Sequence, residues 1–444
     1  MIKQKLIPEL RFPEFKNEGE WEETTLGDIG NFIGGGTPDT AETKYWNGNI
    51  QWYTPTEVKE GKVGKSIRTI TEDGLRNSSA KLLPKGSLLL TTRATIGDIA
   101  IADFECTTNQ GFQSLVVNET EANTFWFYWI IQHKNELLKK ASGSTFPEIG
   151  KNEITKIKAL KPNKYEQQRI ASCLSSLDEV IAAHSQKLDL LKHHKKGLMQ
   201  NLFPQSRLNC DSFDSNDEND FKNQSNQENH KNHSSDNIPK YRFKEFENDG
   251  GEWVEKKLGE VAIFLKGKGI SKSDIVEGGN LPCIRYGELY THYKETIDAI
   301  KSFTNLSSNE LVLSESNDVI IPASGETQID IATASCVLKS GIALGGDLNI
   351  IRSGIDGVFL AYYLNSAKKS DIAQLAQGIS VVHLYPSQLQ TLSISFPKNQ
   401  KEQQKIASCL SSLDALITAQ AKRIEQLKIH KKGLMQGLFP KMSE

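Results

Sequence analysis

A long internal repeat constrains this chain more than any other feature. Glu166–Pro204 reads EQQRIASCLSSLDEVIAAHSQKLDLLKHHKKGLMQNLFP and Glu402–Pro440 reads EQQKIASCLSSLDALITAQAKRIEQLKIHKKGLMQGLFP, with roughly two-thirds of the positions identical. A weaker echo precedes each copy. Arg11-Phe12, Phe15, Gly19-Glu20-Trp21 and Leu26-Gly27 return as Arg242-Phe243, Phe246, Gly251-Glu252-Trp253 and Leu258-Gly259. The chain is therefore a duplication of one domain-plus-helix unit.

Between the echoes identity vanishes, but the apolar runs keep a nearly constant offset. Ile50–Val58 lies opposite Leu281–Leu289, with Glu57 matching Glu288, and Ser87–Leu90 lies opposite Asp318–Ile321. Short apolar runs bounded by Gly, Pro, Asn and Asp read as strands: Ser87–Thr91, Ile99–Ala102, Ser114–Val117, Val319–Ile321 and Leu348–Ile351. Helices are expected at Thr124–Ala141 and Val358–Gln377. The fold class is α+β: two domains with β-rich cores, of one fold and different side-chain chemistry, each followed by a long helix. The expected boundaries are 1–162 for the first domain, 163–204 for its helix, 205–238 for a linker, 239–400 for the second domain and 401–444 for its helix. The linker is rich in Asn, Asp, Ser and Gln and too poor in apolar residues to bury a core, so it reads as flexible. An ordered surface loop is the alternative.

Both long helices carry a seam at alternating steps of three and four. In the first it runs through Leu174, Leu177, Ile181, His184, Leu188, Leu191, Lys195, Leu198 and Leu202. In the second it runs through Leu410, Leu413, Ile417, Gln420, Ile424, Leu427, Lys431, Leu434 and Leu438. A helix of about 35 residues spans ~50 Å and would expose such a stripe if alone. The other copy is the simplest partner. Two like units related by an approximate two-fold axis require the helices to run in opposite directions, an antiparallel coiled coil. His184 and Gln420 either set its register or sit where the helices splay. Lys192–Lys196, mirrored by Lys428, His430, Lys431 and Lys432, reads as phosphate-contacting or as a solvated helix end. The Gly-Leu-Met-Gln motifs at Gly197–Gln200 and Gly433–Gln436 read as packing or docking surfaces.

Composition narrows the class further. No apolar run reaches membrane-spanning length, and the start MIKQKLIPELRFPEF lacks a secretory core, so a cytoplasmic protein without membrane contact is expected. Cys106, Cys173, Cys210, Cys283, Cys336 and Cys409 form no C-x-x-C pair and read as buried thiols. The net charge of −2 owes much to the acid-rich linker, so it does not exclude a nucleic-acid partner. Catalytic motifs are missing. There is no Pro-Pro pair for an adenine-methyltransferase loop, and Lys59 stands where the first glycine of a phosphate loop belongs in Lys59–Ser66. Pro38-Asp39 and Glu42-Thr43-Lys44 are spaced too closely for a two-strand nuclease site, and no histidine has metal-ligand spacing. Gly34-Gly35-Gly36 and Gly267-Lys268-Gly269 either let backbone approach DNA or form turns.

The doubled E-Q-Q-[RK]-I-A-S-C-L-S-S-L-D with H-K-K-G-L-M-Q-x-L-F-P, together with the doubled R-F-x-x-F…G-E-W…L-G, resembles the specificity subunit of type I restriction-modification systems. The resemblance covers almost the full chain. It implies a subunit without an active site or cofactor of its own. Its partners would be double-stranded DNA, two DNA-methyltransferase subunits and two restriction-motor subunits. S-adenosylmethionine, ATP and Mg2+ would be bound by those partners. Each domain would read half of a split site.

Base reading needs polar side chains held rigidly on loops between strands. The candidates are Thr92, Arg93, Asn109 and Gln110 in the first domain, and Arg285, Tyr286, Ser324 and Glu326 in the second. A coiled-coil adaptor that binds proteins instead of DNA explains the helices equally well. It gives no reason for two domains that share a fold while diverging in their polar loops.

Overall fold

A computed structural model of the chain describes residues 6–58, 61–93, 95–143, 147–204, 238–247, 252–378 and 381–440. The expected linker, except Ile238, and Cys210 lie outside them. The chain forms two compact units, Met1–Ser185 with Lys422–Glu444, and Gln186–Ala421. Each unit holds one domain, a stretch of the helix that follows it and a stretch of the other helix.

In the first unit a five-stranded sheet runs Gly30–Gly34, Gln113–Val117, Leu88–Leu90, Ile99–Ala102, Gly61–Val63, antiparallel except for the last pair. The second unit repeats that order with Ala262–Lys266, Leu348–Ser353, Asp318–Pro322, Ser335–Val337 and Thr296–Ile297, again parallel only in the last pair. The pleat explains the triple leucine. Leu88 and Leu90 face one core and Leu89 the opposite one, as Val319 and Ile321 face away from Ile320. A smaller sheet accompanies each: Arg68–Ile70, Trp46–Tyr53, Cys106–Thr108 in the first, and Ser302–Thr304, Leu281–Ile284, Ala343–Leu344, Val312–Leu313 in the second. One fold is thus built from two nearly unrelated sequences.

The expected helices at Thr124–Ala141 and Val358–Gln377 are each broken in two. They become Asn123–Gln132 with Lys134–Lys140, and Gly357–Ser366 with Lys369–Leu375. At the first break His133 leaves helical geometry and its ring Nδ1 lies 2.9 Å from the Trp129 carbonyl. Apolar periodicity continues across both breaks, which hides them in the sequence. Phe125 to Ile130 are buried without interruption, so this helix is surrounded by core on every side.

The long helices span Lys164–Leu202 and Gln400–Leu438. In the first unit Leu174 shares a core with Met435, Leu438 and Phe439, and Asp178, one turn further on, bonds Lys431, one turn earlier. In the second unit Lys195 bonds Asp414 while Leu198 and Leu202 meet Ile406, Ala407 and Leu410. Within each unit the paired stretches are therefore antiparallel, as expected. Leu174, Leu410, Leu413, Ile417, Ile424 and Leu427 are buried, and Leu177, Ile181, Leu188 and Leu191 are half-buried. Met435 is core, whereas Gly197 and Gly433 face open space. Cys106, Cys283 and Cys336 are buried, and burial pushes the thiols of Cys106 and Cys336 up to about 12. Cys173 and Cys409, expected inside, are half-buried instead because they lie on the flanks of the long helices.

Candidate nucleic-acid interface

The repeated motifs make the joints that fix each domain to its helix. Glu166, buried in the first helical turn, accepts bonds from Arg11 Nε (2.8 Å) and Nη2 (2.7 Å) and from Trp21 Nε1 (3.4 Å). Glu402 does the same with Arg242 Nε (2.7 Å) and Nη2 (2.6 Å) and Trp253 Nε1 (3.3 Å). A buried carboxylate is tolerable only when its lone pairs are taken, and the fork of an arginine plus an indole N–H takes them. The bonded carboxylate raises the pKa of both arginines. The next residue locks the strand into the helix. Gln167 accepts Ala122 N (2.9 Å) and donates to the Pro162 carbonyl (3.0 Å), and Gln403 accepts Asp356 N (2.8 Å) and donates to the Pro397 carbonyl (2.8 Å).

A second joint ties each domain to both helices. Tyr128 donates to Asp178 (2.6 Å), which also holds Lys431, and that ammonium sits 5.1 Å from the Tyr128 ring. Tyr362, Asp414 and Lys195 repeat the arrangement with 5.2 Å between Lys195 and the ring. Burial, and the hydrogen bond to the aspartate, push both phenols up. Lys195 and Lys431 are consequently engaged in ion pairs. Neither the phosphate-contacting nor the solvated-end reading of the basic clusters describes these two positions, where the lysines are ion-paired and largely buried. The helix ends form the third joint. Phe439 packs on Trp21 and Phe125, and Phe203 on Phe359 and Tyr363. Sequence reading missed these roles, although the pairing of G-E-W with E-Q-Q in both repeats was a visible signal.

Two of the four first-domain candidates, Thr92 and Asn109, converge on Gly111. Thr92 is buried and gives both N–H (2.8 Å) and hydroxyl (3.2 Å) to the Gly111 carbonyl, so it positions the loop. Asn109 Oδ1 accepts Gly111 N (2.8 Å), and Gln110, exposed beside it, accepts the Thr37 hydroxyl (2.6 Å). Arg93 is exposed and pairs with Glu148 at 2.8 Å, while Ile149 N bonds the Thr92 carbonyl (3.1 Å). In the second domain Tyr290 donates to the Ser324 carbonyl (2.9 Å), bringing the helix Tyr286–Thr291 against the bridge between Ser324 and His383. Tyr286 and Tyr290 meet edge to face, and His383 stacks near Tyr385. Arg285 caps that helix and Glu326 lies exposed beyond Ser324, which is itself buried. Glu57 and Glu288 serve one purpose: their carboxylates accept Thr54 N (2.8 Å) and Arg285 N (3.1 Å) and close the turn beside each face.

The glycine runs have an internal cause. A Cβ on Gly35 would lie 2.0 Å from the Asn109 carbonyl, and one on Gly267 would lie 1.9 Å from the Gly345 carbonyl, so close approach of the chain to itself excludes side chains. Gly61–Val63 of the false phosphate loop is a sheet strand. Among the described residues no group of His, Cys, Asp or Glu is placed to hold a metal, and no helix is long and apolar enough to cross a membrane.

The family model for the type I restriction modification DNA specificity domain matches residues 18–193 and again 250–428. The specificity subunit of the type I restriction enzyme MjaIX from Methanocaldococcus jannaschii is 34% identical over 41% of this chain and 44% of its own length. The EcoR124I/EcoR124II specificity subunit of Escherichia coli is 32% identical over 36% of this chain and 42% of its own. These two alignments span less than half of each relative. The MjaVIII specificity subunit aligns over 97% of this chain and 93% of its own length at 23% identity. A crystal structure of a type I system S subunit from M. genitalium shares the fold, with TM-score 0.58 over 98% of this chain and 100% of that chain at 16% identity. A chain from a study of complex assembly and conformational transition in the type I R-M system reaches TM-score 0.53 over 94% of this chain and 97% of its own, also at 16% identity.

Proposed function

Because the chain belongs to the type I restriction modification DNA specificity domain family, we propose that it selects a bipartite site in double-stranded DNA for partner enzymes, each domain reading one half. The observation that carries this reading is the contrast within the duplication: matched joints hold two faces whose exposed polar groups differ. Base discrimination requires rigid placement of a few such groups, and phosphate contacts add affinity without sequence information. The long helices would carry two methyltransferase subunits and two restriction-motor subunits. S-adenosylmethionine, ATP and Mg2+ would be bound there and not by this chain.

Methylation mapping tests the reading directly. DNA from cells expressing the chain with its methyltransferase subunit should carry methyladenine in a split motif. Exchanging residues 239–400 for those of another family member should change one half of the motif and leave the other intact. Absence of methylation, or a change in both halves, overturns it. The length of the helices would set the gap between the halves, near one turn of duplex or about 34 Å. Deleting one helical turn from each repeat should shorten the unspecified spacer.

A further inference from the structure

We propose that Arg68 is the guanine-reading arginine of the first domain, a role that rests on the DNA-reading function above. Arg68 opens the strand Arg68–Ile70 and lies directly across from Trp52. Its guanidinium carbon sits 3.6 Å from the centroid of the Trp46 ring and 5.6 Å from that of Trp52. Both indoles are buried and fixed: Trp46 Nε1 donates to the Asp39 carbonyl (3.0 Å), Trp52 Nε1 to the Gly36 carbonyl (2.9 Å), and the two rings meet edge to face at 5.1 Å. A guanidinium lying on a locked aromatic face is held by cation–π attraction and stacking, which leave its in-plane N–H groups available.

The other arginines on the reading faces are engaged differently. Arg93 is paired with Glu148, and Arg285 lies 3.6 Å from Glu288. Arg68 is exposed and makes no ion pair or side-chain hydrogen bond among the described residues. It is therefore an ordered cation with an unspent fork of donors, the geometry that matches O6 and N7 of guanine in the major groove.

Two chains of contact place it with the reading loops. Trp52 is bonded to Gly36, whose neighbour Thr37 donates to Gln110. Ile67 N donates to Glu57 Oε1 (2.7 Å), Glu57 closes the turn that holds Pro55, and Pro55 packs on Gly111, on which Thr92 and Asn109 converge. Lys62 and Lys65 are exposed on the approach to Arg68 and supply positive charge for the adjoining phosphates. The second domain presents tyrosines and a histidine on its face and, among the described residues, no such stacked arginine.

The test maps methylation with the full chain in complex with its methyltransferase subunits, as wild type, Arg68→Ala and Arg68→Lys. Lysine retains charge and a place on the indole but lacks the planar fork. In both variants one guanine in the first-domain half should become degenerate, with preference over the other bases falling about tenfold or more in competition with base-substituted duplexes of the mapped site. The other half should not change. An intact motif in both variants overturns the assignment, as does uniformly weaker methylation at every site, which identifies a phosphate contact. A degenerate position that is not guanine also overturns it. Should Arg68→Ala fail to assemble by gel filtration, Arg68→Lys decides. A wild-type chain that directs no split-site methylation overturns the DNA-reading function itself.

Discussion

The two units are alike at their joints and unlike at their faces. Arg11–Glu166 and Arg242–Glu402 close at 2.7 and 2.6 Å, and Lys431–Asp178 and Lys195–Asp414 at 2.7 and 2.8 Å. The bridge that carries Arg93 and Glu148 in one unit carries Ser324 and His383 in the other. Where Asn109 and Gln110 stand in the first, the corresponding turn of the second is Gly345-Gly346. Chemistry is repeated at these joints between domain and helix and changes at the Arg93–Glu148 bridge and the Asn109-Gln110 turn. That division is what the proposed reading of two different half-sites would require.

If the joints are equivalent, damage to either should cost the same. The largest effect is expected from the helix ends. Phe203→Ala and Phe439→Ala each empty an aromatic site in a closed core and should each destabilise their own unit by about 4 kcal/mol. Hydrogen exchange should accelerate in Asp318–Pro322 for the first variant and in Leu88–Leu90 for the second. Equal protection of both sheets in either variant would break the equivalence. Next come Glu166→Ala and Glu402→Ala, which strand a largely buried arginine and an indole N–H. A loss of about 3 kcal/mol for each, read by urea denaturation, is expected. A difference of more than about 1 kcal/mol between the two, beyond the ordinary scatter of such measurements, would mean that the joints are not interchangeable.

How much of this was legible in the sequence follows the same division. The helical seams were readable because one-sided burial imposes a period on apolar residues, and the central strands because burial on both faces makes an unbroken apolar run, as in Leu88-Leu89-Leu90. The breaks at His133 and at Ala367-Lys368 were not, since the apolar pattern runs through them and only backbone geometry interrupts it. The candidate residues were readable as loop polarity. Sequence alone did not distinguish Thr92, whose hydroxyl is consumed by Gly111, from Gln110, which is exposed. That distinction depends on partners distant in the chain. Arg68 escaped notice because a stack on Trp46 is set by strand register and not by any motif.

His133 offers a sharper contrast, since the matching position in the second unit is Ala367. The His133 ring stacks on Trp129 at 4.3 Å and meets Phe439 edge-on at 6.0 Å, and burial lowers its pKa from the ordinary 6.5. A folded pKa below the unfolded one means that the unfolded chain binds the proton more readily. The stability supplied by neutral His133 is therefore present above pH 6.5 and lost as pH falls from there toward the lowered value. Hydrogen exchange at pH 7.5 and about pH 5.5 should show the first unit loosening relative to the second, and His133→Ala should remove that difference. Persistence of the pH dependence in the variant would place its origin elsewhere.

The smallest stability effect is expected at the faces, and there it is the most instructive. Arg93 and Glu148 are 49% and 44% exposed, so their ion pair is screened and contributes at most about 1 kcal/mol. Replacing them with the second unit's residues, Arg93→Ser with Glu148→His, should leave the urea midpoint nearly unchanged while altering the first-domain half of the methylated motif. Stability and recognition would then be set by separate residues on one scaffold. If the exchange unfolds the unit, the bridge is structural; if the motif survives it unaltered, base reading falls to other groups on that face, Gln110 and Arg68 first.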